Sequence, residues 1–151
     1  MKKISKHISW KEGTFSNTAK SLKINNKPTK EIVKNMELVA EKIFEPLREW
    51  VGGPIRVNSF YRCEKLNTAL KGSKTSSHTK GQAIDIDSLG KKTNAEMYDW
   101  IKDNLDFDQL IWEFGNDNPK WLHISYVSKK ENRKEILKAV YRGSRLTYYR
   151  Q

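Results

Sequence analysis

The chain has 151 residues, and its 29 Lys and Arg against 18 Asp and Glu give a formal net charge of +11 and a pI near 9.7. This length is typical of one ordinary domain that buries its own core. The single cysteine, Cys63, excludes an intramolecular disulfide and a zinc site built from several thiolates. A bound metal would therefore need His, Asp or Glu ligands.

The excess of positive charge favours polyanionic partners such as nucleic acid or the anionic surface polymers of bacterial walls. Residues 1–7 have the charged start of a secretory signal but not the apolar run that must follow it. No later stretch approaches the ~20 consecutive apolar residues of a membrane span. We therefore expect a protein that is made in the cytoplasm and has no membrane partner.

The pattern of apolar and turn residues predicts one domain over residues 1–151, with an irregular N-terminal segment over residues 1–28. A long helix is predicted over residues 29–50, with Thr29 as N-cap and a kink at its last turn caused by Pro46. The other predicted elements are strands over residues 55–60, 82–87, 109–114 and 121–126, helices over residues 64–70 and from the capping box at Thr93, and a loop over residues 73–80. Residues 133–150 are ambiguous between helix and strand. This order of elements indicates an α+β domain with a mainly antiparallel sheet and flanking helices.

Three acidic or imidazole side chains fall on strand positions opposite to the apolar ones. His123 alternates with Leu122 and Ile124, and Asp85 and Glu113 occupy the equivalent positions of their own predicted strands. This alternation assigns Phe114 to the core face. A cleft on the other face would suit zinc or a general acid/base pair, although each residue also fits a hydrogen-bonded or solvent-facing structural role.

Residues 76–86 read Ser-Ser-His-Thr-Lys-Gly-Gln-Ala-Ile-Asp-Ile, which resembles the Ser-x-His-x-x-Gly-x-Ala-x-Asp signature of the zinc D-alanyl-D-alanine carboxypeptidase family. Residues 59–62 are similar to the family's Ser-Gly-Tyr-Arg element, and residues 121–125 are similar to its closing zinc-ligand strand. The family includes L-alanyl-D-glutamate endopeptidases of phage endolysins and shares its fold with the Hedgehog signalling domain. From about residue 15 to residue 126, order and spacing resemble phage and prophage members.

This resemblance implies a Hedgehog/DD-peptidase-like fold and a zinc peptidase acting on peptidoglycan stem peptides, as a D-Ala-D-Ala carboxypeptidase or an endolysin endopeptidase. It implies one zinc ion held by His78, Asp85 and His123, with one coordination position left open. By the same resemblance Glu113 is the general base and Arg62 binds a carboxylate or carbonyl oxygen of the stem peptide. Ser76 either donates a hydrogen bond to substrate or caps its loop. The expected partner is peptidoglycan, reached after release of the protein, and we expect a monomer with no nucleic-acid partner.

The sequence departs from the family pattern in three places. Phe60 replaces a glycine, Trp121 stands where several relatives have a second histidine, and Lys120 stands where some relatives keep the catalytic glutamate. We favour Glu113 as the base because it follows Gln-Leu-Ile-Trp as in the Hedgehog-like branch. Asp87, on the same predicted face as Asp85, is the next candidate.

Two other functions fit parts of the sequence. A cysteine peptidase would use Cys63 as nucleophile and His78 or His123 as base, although a small packing residue is the commoner role for a cysteine at a helix start. A non-catalytic module would hold structural zinc and bind cell wall or nucleic acid through its positive charge. The Hedgehog domain shows that this fold can hold zinc without hydrolysing a substrate.

Overall fold

The structure is a computed structural model that describes residues 3–151. Its helices are α1 Trp10–Thr14, α2 Asn17–Leu22, α3 Lys30–Val39, α4 Glu45–Val51, α5 Glu64–Ala69 and α6 Asn94–Asn104, with a π-helical turn over Ala40–Phe44 and a 3-10 turn over Ser77–Lys80. Its strands are β1 Lys3–Ser5, β2 Ile8–Ser9, β3 Ile55–Ser59, β4 Ala83–Ser88, β5 Gln109–Glu113, β6 Trp121–Ser125, β7 Glu135–Arg142 and β8 Arg145–Arg150. None of the helices within these residues combines the length and apolar composition that crossing a membrane requires.

A six-stranded sheet in the order β3-β4-β6-β5-β7-β8 forms the centre of the domain. Every neighbouring pair is antiparallel except β5 and β7, which are parallel. The two-stranded pair of β1 and β2 lies apart from this sheet. The α+β fold with a mainly antiparallel sheet is therefore confirmed.

One face of the sheet is covered by helices, and this face contains the core. Alternation along the strands gives the core the fully buried side chains of Ile84 and Ile86 from β4 and of Leu122 and Ile124 from β6. In the helices the buried apolar residues recur at three- and four-residue spacing, as in Met36, Val39, Ala40, Ile43, Phe44 and Leu47. Each large side chain buried in this way contributes about 1.5–3 kcal/mol of transfer free energy. The opposite face of β4, β6 and β5 carries Asp85, His123 and Glu113, together with the apolar Ile111 and Trp121.

The long predicted helix is present as α3, the π-helical turn and α4 in succession. The Thr29 hydroxyl accepts a hydrogen bond from the Ile32 amide at 3.3 Å, which is the predicted N-cap. The disturbance expected from Pro46 lies one turn earlier than predicted, because the Glu45 amide donates to the Ala40 carbonyl five residues back. Proline has no N–H and crowds the carbonyl four residues before it, and a wider turn accommodates both effects.

The N-terminal segment is more regular than predicted, since residues 3–28 include two short strands and two short helices. A capping box between Ser9 and Glu12 begins α1, and the Ser16 hydroxyl caps α2. Ile4 and Ile8 are buried in the main core. Elements of two to six residues are too short for their periodicity to be recognised, so the prediction of an irregular segment is corrected here. Met1 and Lys2 lie outside the described residues.

The ambiguous C-terminal segment forms a hairpin of β7 and β8. Its two-residue turn contains Gly143 at φ +62°, a left-handed conformation that hairpin turns favour and that glycine adopts without strain. The start of β7 is attached to the domain by Arg133, which donates to both carboxylate oxygens of buried Asp108 at 3.0 and 2.8 Å. The parallel pairing of β7 with β5 extends the sheet through this hairpin.

Candidate metal centre

Three separate elements each provide one metal-ligating side chain to the same point. His78 lies in the 3-10 turn Ser77–Lys80, Asp85 in β4 and His123 in β6. Asp85 and His123 are direct cross-strand partners, so their side chains leave the sheet on the same face. One ligating atom from each of the three lies within 4.8 Å of the others. The structure thus brings together the three residues that the resemblance implies as zinc ligands.

A single carboxylate oxygen lies between the two imidazoles. Oδ1 of Asp85 is 3.2 Å from Nε2 of His78 and 3.0 Å from Nδ1 of His123. Burial alone would raise the pKa of the Asp85 carboxyl, but the charges and hydrogen bonds of His78 and His123 more than offset it and hold the pKa well below its usual range. Asp85 is therefore an ionised carboxylate, the form that a metal requires of it.

The buried ring of His78 is oriented by backbone groups. Its Nδ1 lies 2.7 Å from the Phe60 carbonyl and donates to that oxygen, which fixes the ring so that Nε2 is the nitrogen directed at Asp85. The His78 carbonyl in turn accepts from the Arg62 amide at 3.2 Å. Gly81 ends the turn at φ +68°, and a Cβ there would lie 2.8 Å from Ile32 Cγ2 and from Met36 Cγ. Both the backbone conformation and the packing therefore require glycine at position 81, the glycine of the signature that residues 76–86 resemble.

Glu113 ends β5 on the face of the ligands. It pairs with Trp121, two residues before His123 in the neighbouring strand, so the two side chains emerge on the same face. The side chain is 8% exposed, and burial raises the pKa of its carboxyl to about 7, with the Asp85 charge adding to this rise and His123 opposing it. A carboxyl with a pKa near neutrality is suited to accept a proton and return it.

Arg62 follows strand β3 and lies within the electrostatic reach of Asp85. Burial lowers the pKa of its guanidinium while the Asp85 charge opposes this shift, and arginine keeps its charge under both effects. Its Nε is buried, and no group in residues 3–151 accepts a hydrogen bond from it. A half-buried cation without an ion pair among the described residues is available to an anionic or carbonyl oxygen.

The remaining predicted site residues have local structural contacts. The Ser76 hydroxyl accepts from the His78 amide at 3.3 Å, which is the loop-capping role, and its contact with substrate stays a prediction. Asp87 accepts from the Asn94 side-chain amide at 2.7 Å, so it is engaged in holding the start of α6. The Cys63 thiol accepts from the Leu66 amide at 3.4 Å as the N-cap of α5 and packs against the core. These contacts give no support to Cys63 as a nucleophile.

Aromatic side chains near Glu113 are a feature that alternation along the sequence did not predict. Phe114 has φ +62°, so β5 ends before it and its ring does not lie on the core face as predicted. The ring instead stacks on Tyr141 at 4.9 Å and contacts Trp121 at 5.4 Å, between centroids. Trp121 shares the face of His123, and Tyr141 shares the face of Ala139, the partner of Glu113. No local sequence pattern indicates a left-handed phenylalanine, so the position of this ring depends on the tertiary structure.

The donor set fits one zinc ion. Two imidazole nitrogens and one carboxylate oxygen are the ligands of many catalytic zinc sites, and three protein ligands leave a fourth position for reactants. The hydrogen bond from Nδ1 of His78 to a carbonyl is the usual support of a metal-bound histidine. A cavity lined by the N-terminal segment, including Trp10, Phe15 and Ala19, contains none of these residues.

The chain is similar to one known protein family over most of its length. The model of the family Peptidase M15 matches residues 4–125, which is most of the chain and includes all three ligating residues, Arg62 and Glu113. The search of curated proteins found no match. Because the matched region covers well over half of the sequence and contains the metal centre, the chain belongs to the peptidase M15 family, a family of zinc metallopeptidases.

Proposed function

We propose that the protein is a zinc-dependent peptidase that hydrolyses peptide bonds in the stem peptides of bacterial peptidoglycan, as a D-Ala-D-Ala carboxypeptidase or an endolysin-type endopeptidase. The observation that carries the proposal is the presence of His78 Nε2, Asp85 Oδ1 and His123 Nδ1 within 4.8 Å of one another, on the sheet face that also contains Glu113. Family membership supports the class of reaction. The phage or prophage type of the enzyme is part of the proposal.

Zinc held by these three side chains would polarise the scissile carbonyl and make an attacking water more acidic. Glu113 takes the proton of that water and returns it to the leaving amine, acting first as general base and then as general acid. Arg62 binds a carboxylate or carbonyl oxygen of the peptide and fixes its position relative to Glu113. Each of these two residues has a separate role, so their loss should have separate kinetic consequences.

The charge of the protein supports a wall substrate. A formal net charge of +11 raises the local concentration of the protein at anionic wall polymers, and this attraction weakens as salt increases. In this proposal the protein is made in the cytoplasm and reaches the wall after release. Peptidoglycan is then the partner, and the enzyme acts as a monomer.

The decisive experiment is mass spectrometry of purified peptidoglycan digested with the zinc-loaded protein. New amino and carboxyl termini inside the stem peptides are expected, and their positions identify which bond is cut. A chelator should abolish their release and added zinc should restore it, whereas alkylation of Cys63 should leave it unchanged. Binding to the wall without any new termini would contradict hydrolysis and favour a non-catalytic wall-binding module.

A further inference from the structure

One row of side chains crosses four strands next to the metal centre. Trp121 of β6 pairs with Glu113 of β5, Glu113 with Ala139 of β7, and Ala139 with Tyr148 of β8. Cross-strand partners emerge on the same face, so Tyr148 lies on the face of Glu113 and His123. Two strand spacings of about 4.8 Å separate Tyr148 from Glu113. The C-terminal hairpin thus brings an aromatic side chain to the face of the metal centre.

Ala139 lies between Glu113 and Tyr148 in this row and leaves the space between them open. Ala139 has only a methyl group, and it is fully buried beneath its neighbours. No larger side chain therefore stands between Glu113 and Tyr148 in this row. Tyr148 is 50% exposed as a residue, so a ligand can contact it.

The phenol of Tyr148 is a free hydrogen-bond donor. Burial and the negative charges of Glu113, Tyr141 and Asp85 raise its pKa, which keeps it protonated at neutral pH. Within residues 3–151 its hydroxyl forms no hydrogen bond, whereas a peptide carbonyl arriving at the site would provide an acceptor.

Two contacts hold the hairpin that carries Tyr148 in place. The two-fold hydrogen bond of Arg133 to Asp108 fixes the start of β7, and the stacking of Tyr141 on Phe114 fixes its end next to Glu113. A tyrosine loses little conformational entropy when it binds a ligand, because it has only two side-chain torsions. Held in this way, Tyr148 is pre-organised for a contact.

We propose that Tyr148 is a substrate-binding residue of the metal centre, whose hydroxyl donates a hydrogen bond to a carbonyl oxygen of the bound stem peptide. The nature of the peptide rests on the proposed function, while the residue and its contact rest on the strand register. Tyr148 lies beyond residue 125, where the family match ends. The substrate cleft of this protein therefore includes a wall formed by its own C-terminal hairpin.

Peptide binding tests this inference separately from hydrolysis. The full chain carrying Glu113→Gln, loaded with zinc, is titrated by calorimetry with a synthetic stem pentapeptide that contains both candidate bonds. Adding Tyr148→Phe should weaken binding by about three- to tenfold, the range for one lost hydrogen bond. The matched control is Tyr149→Phe, since Tyr149 is next in sequence but pairs with Lys138 on the other face and interacts with Arg142. Zinc content and the unfolding temperature should be unchanged in both variants.

The two hypotheses fail in different ways. If Tyr148→Phe binds the pentapeptide as tightly as its parent, or if the parent does not bind it, the inference is overturned. If binding depends on Tyr148 but the wild-type protein releases no new termini from peptidoglycan, the inference stands and the proposed function fails. Weakening by Tyr149→Phe to the same degree would indicate a general effect on the hairpin and would also overturn the inference.

Discussion

Asp85 and His123 face each other across the β4–β6 pair, with 3.0 Å between Oδ1 and Nδ1, and the same oxygen lies 3.2 Å from Nε2 of His78. Without metal, this arrangement holds one carboxylate between two imidazoles. A zinc ion entering the site would exchange these hydrogen bonds for coordination bonds. The strength of metal binding should therefore depend on all three side chains.

Zinc should bind at about one ion per chain, and Asp85→Asn should lower the affinity by more than about 100-fold. This exceeds the 10- to 100-fold loss typical of residues that only support a ligand, because Asn lacks the charge that a metal ligand provides. Elemental analysis and a competitive chelator titration measure both quantities. Asp87→Asn is the matched control on the same strand and should keep its zinc, and equal affinity in both variants would contradict the ligand assignment.

Glu113→Gln should lower the rate of peptide hydrolysis by about 10²- to 10⁴-fold while zinc content is kept, since Gln preserves shape but cannot accept a proton. The measurement is the rate of release of new amino termini from stem peptides. Asp87→Asn should retain most activity, because the Asp87 carboxylate is occupied by Asn94. Full activity in Glu113→Gln together with its loss in Asp87→Asn would transfer the role of base to Asp87.

Glu113 should also make the stability of the metal-free protein depend on pH. The pKa of its carboxyl is about 7 in the folded state and 4.5 when it is unperturbed, so the folded protein binds one more proton than the unfolded chain between these two pH values. The contribution of Glu113 to the free energy of unfolding is fully present below about pH 4.5 and is lost as the pH rises through about 7, a change on the order of 3 kcal/mol. The glutamine side chain introduced by Glu113→Gln does not titrate. The free energy of unfolding of this variant should therefore rise relative to that of the wild type between pH 5 and pH 8. Urea unfolding with a chelator present measures this difference, and a constant difference would contradict the raised pKa.

Arg62→Ala should lower kcat/KM by roughly 10- to 100-fold, the cost of a hydrogen bond to a charged group, without loss of zinc. The guanidinium has no ion pair within residues 3–151, so its removal should leave the unfolding temperature near that of the wild type. Arg62→Lys keeps the charge but not the paired donors and should recover only part of the activity. Loss of zinc in Arg62→Ala would show a structural role for this residue instead.

Gly81→Ala should destabilise the protein by about 2 kcal/mol or more, and by more than Gly52→Ala does. Both glycines have nearly the same left-handed backbone, at φ +68° and +71°, so the strain of the conformation itself, about 1–2 kcal/mol, is common to both. Only at Gly81 would the new Cβ meet Ile32 and Met36. Denaturant unfolding of the two variants measures how much of the destabilisation comes from the new contacts of the Cβ at position 81. Equal decreases in the free energy of unfolding would mean that α3 moves aside at little cost. Because Gly81 ends the turn of His78, its substitution should also weaken zinc binding.

The sequence predicted the parts of the site that depend on strand alternation. His123 and Asp85 alternate with fully buried isoleucines and leucines, and this parity was enough to place them on one face. Helix ends were also predictable where a side chain caps them, as at Thr29 and Thr93. The roles of Arg62 and Ser76 toward substrate stay predictions.

What the sequence did not predict depends on tertiary structure. Phe114 adopts a left-handed conformation that no local pattern indicates, and its ring therefore lies on the unexpected face. Tyr148 reaches the site only because β7 pairs with β5 in parallel, a long-range contact that periodicity cannot predict. The short N-terminal elements fold around Ile4 and Ile8, whose burial in the core is likewise a tertiary effect.

The C-terminal hairpin also changes what the sheet presents at its border. If β7 and β8 did not cover it, the outermost strand would be β5, whose three consecutive apolar residues 110–112 and unpaired backbone groups are a template for strands of other molecules. The border is instead β8, which has Arg145 and Arg150 at its two ends, and such positive charges discourage edge-to-edge pairing. Detachment of β7 and β8 from β5 would therefore expose an edge that pairs readily with other strands, and aggregation would be the expected result.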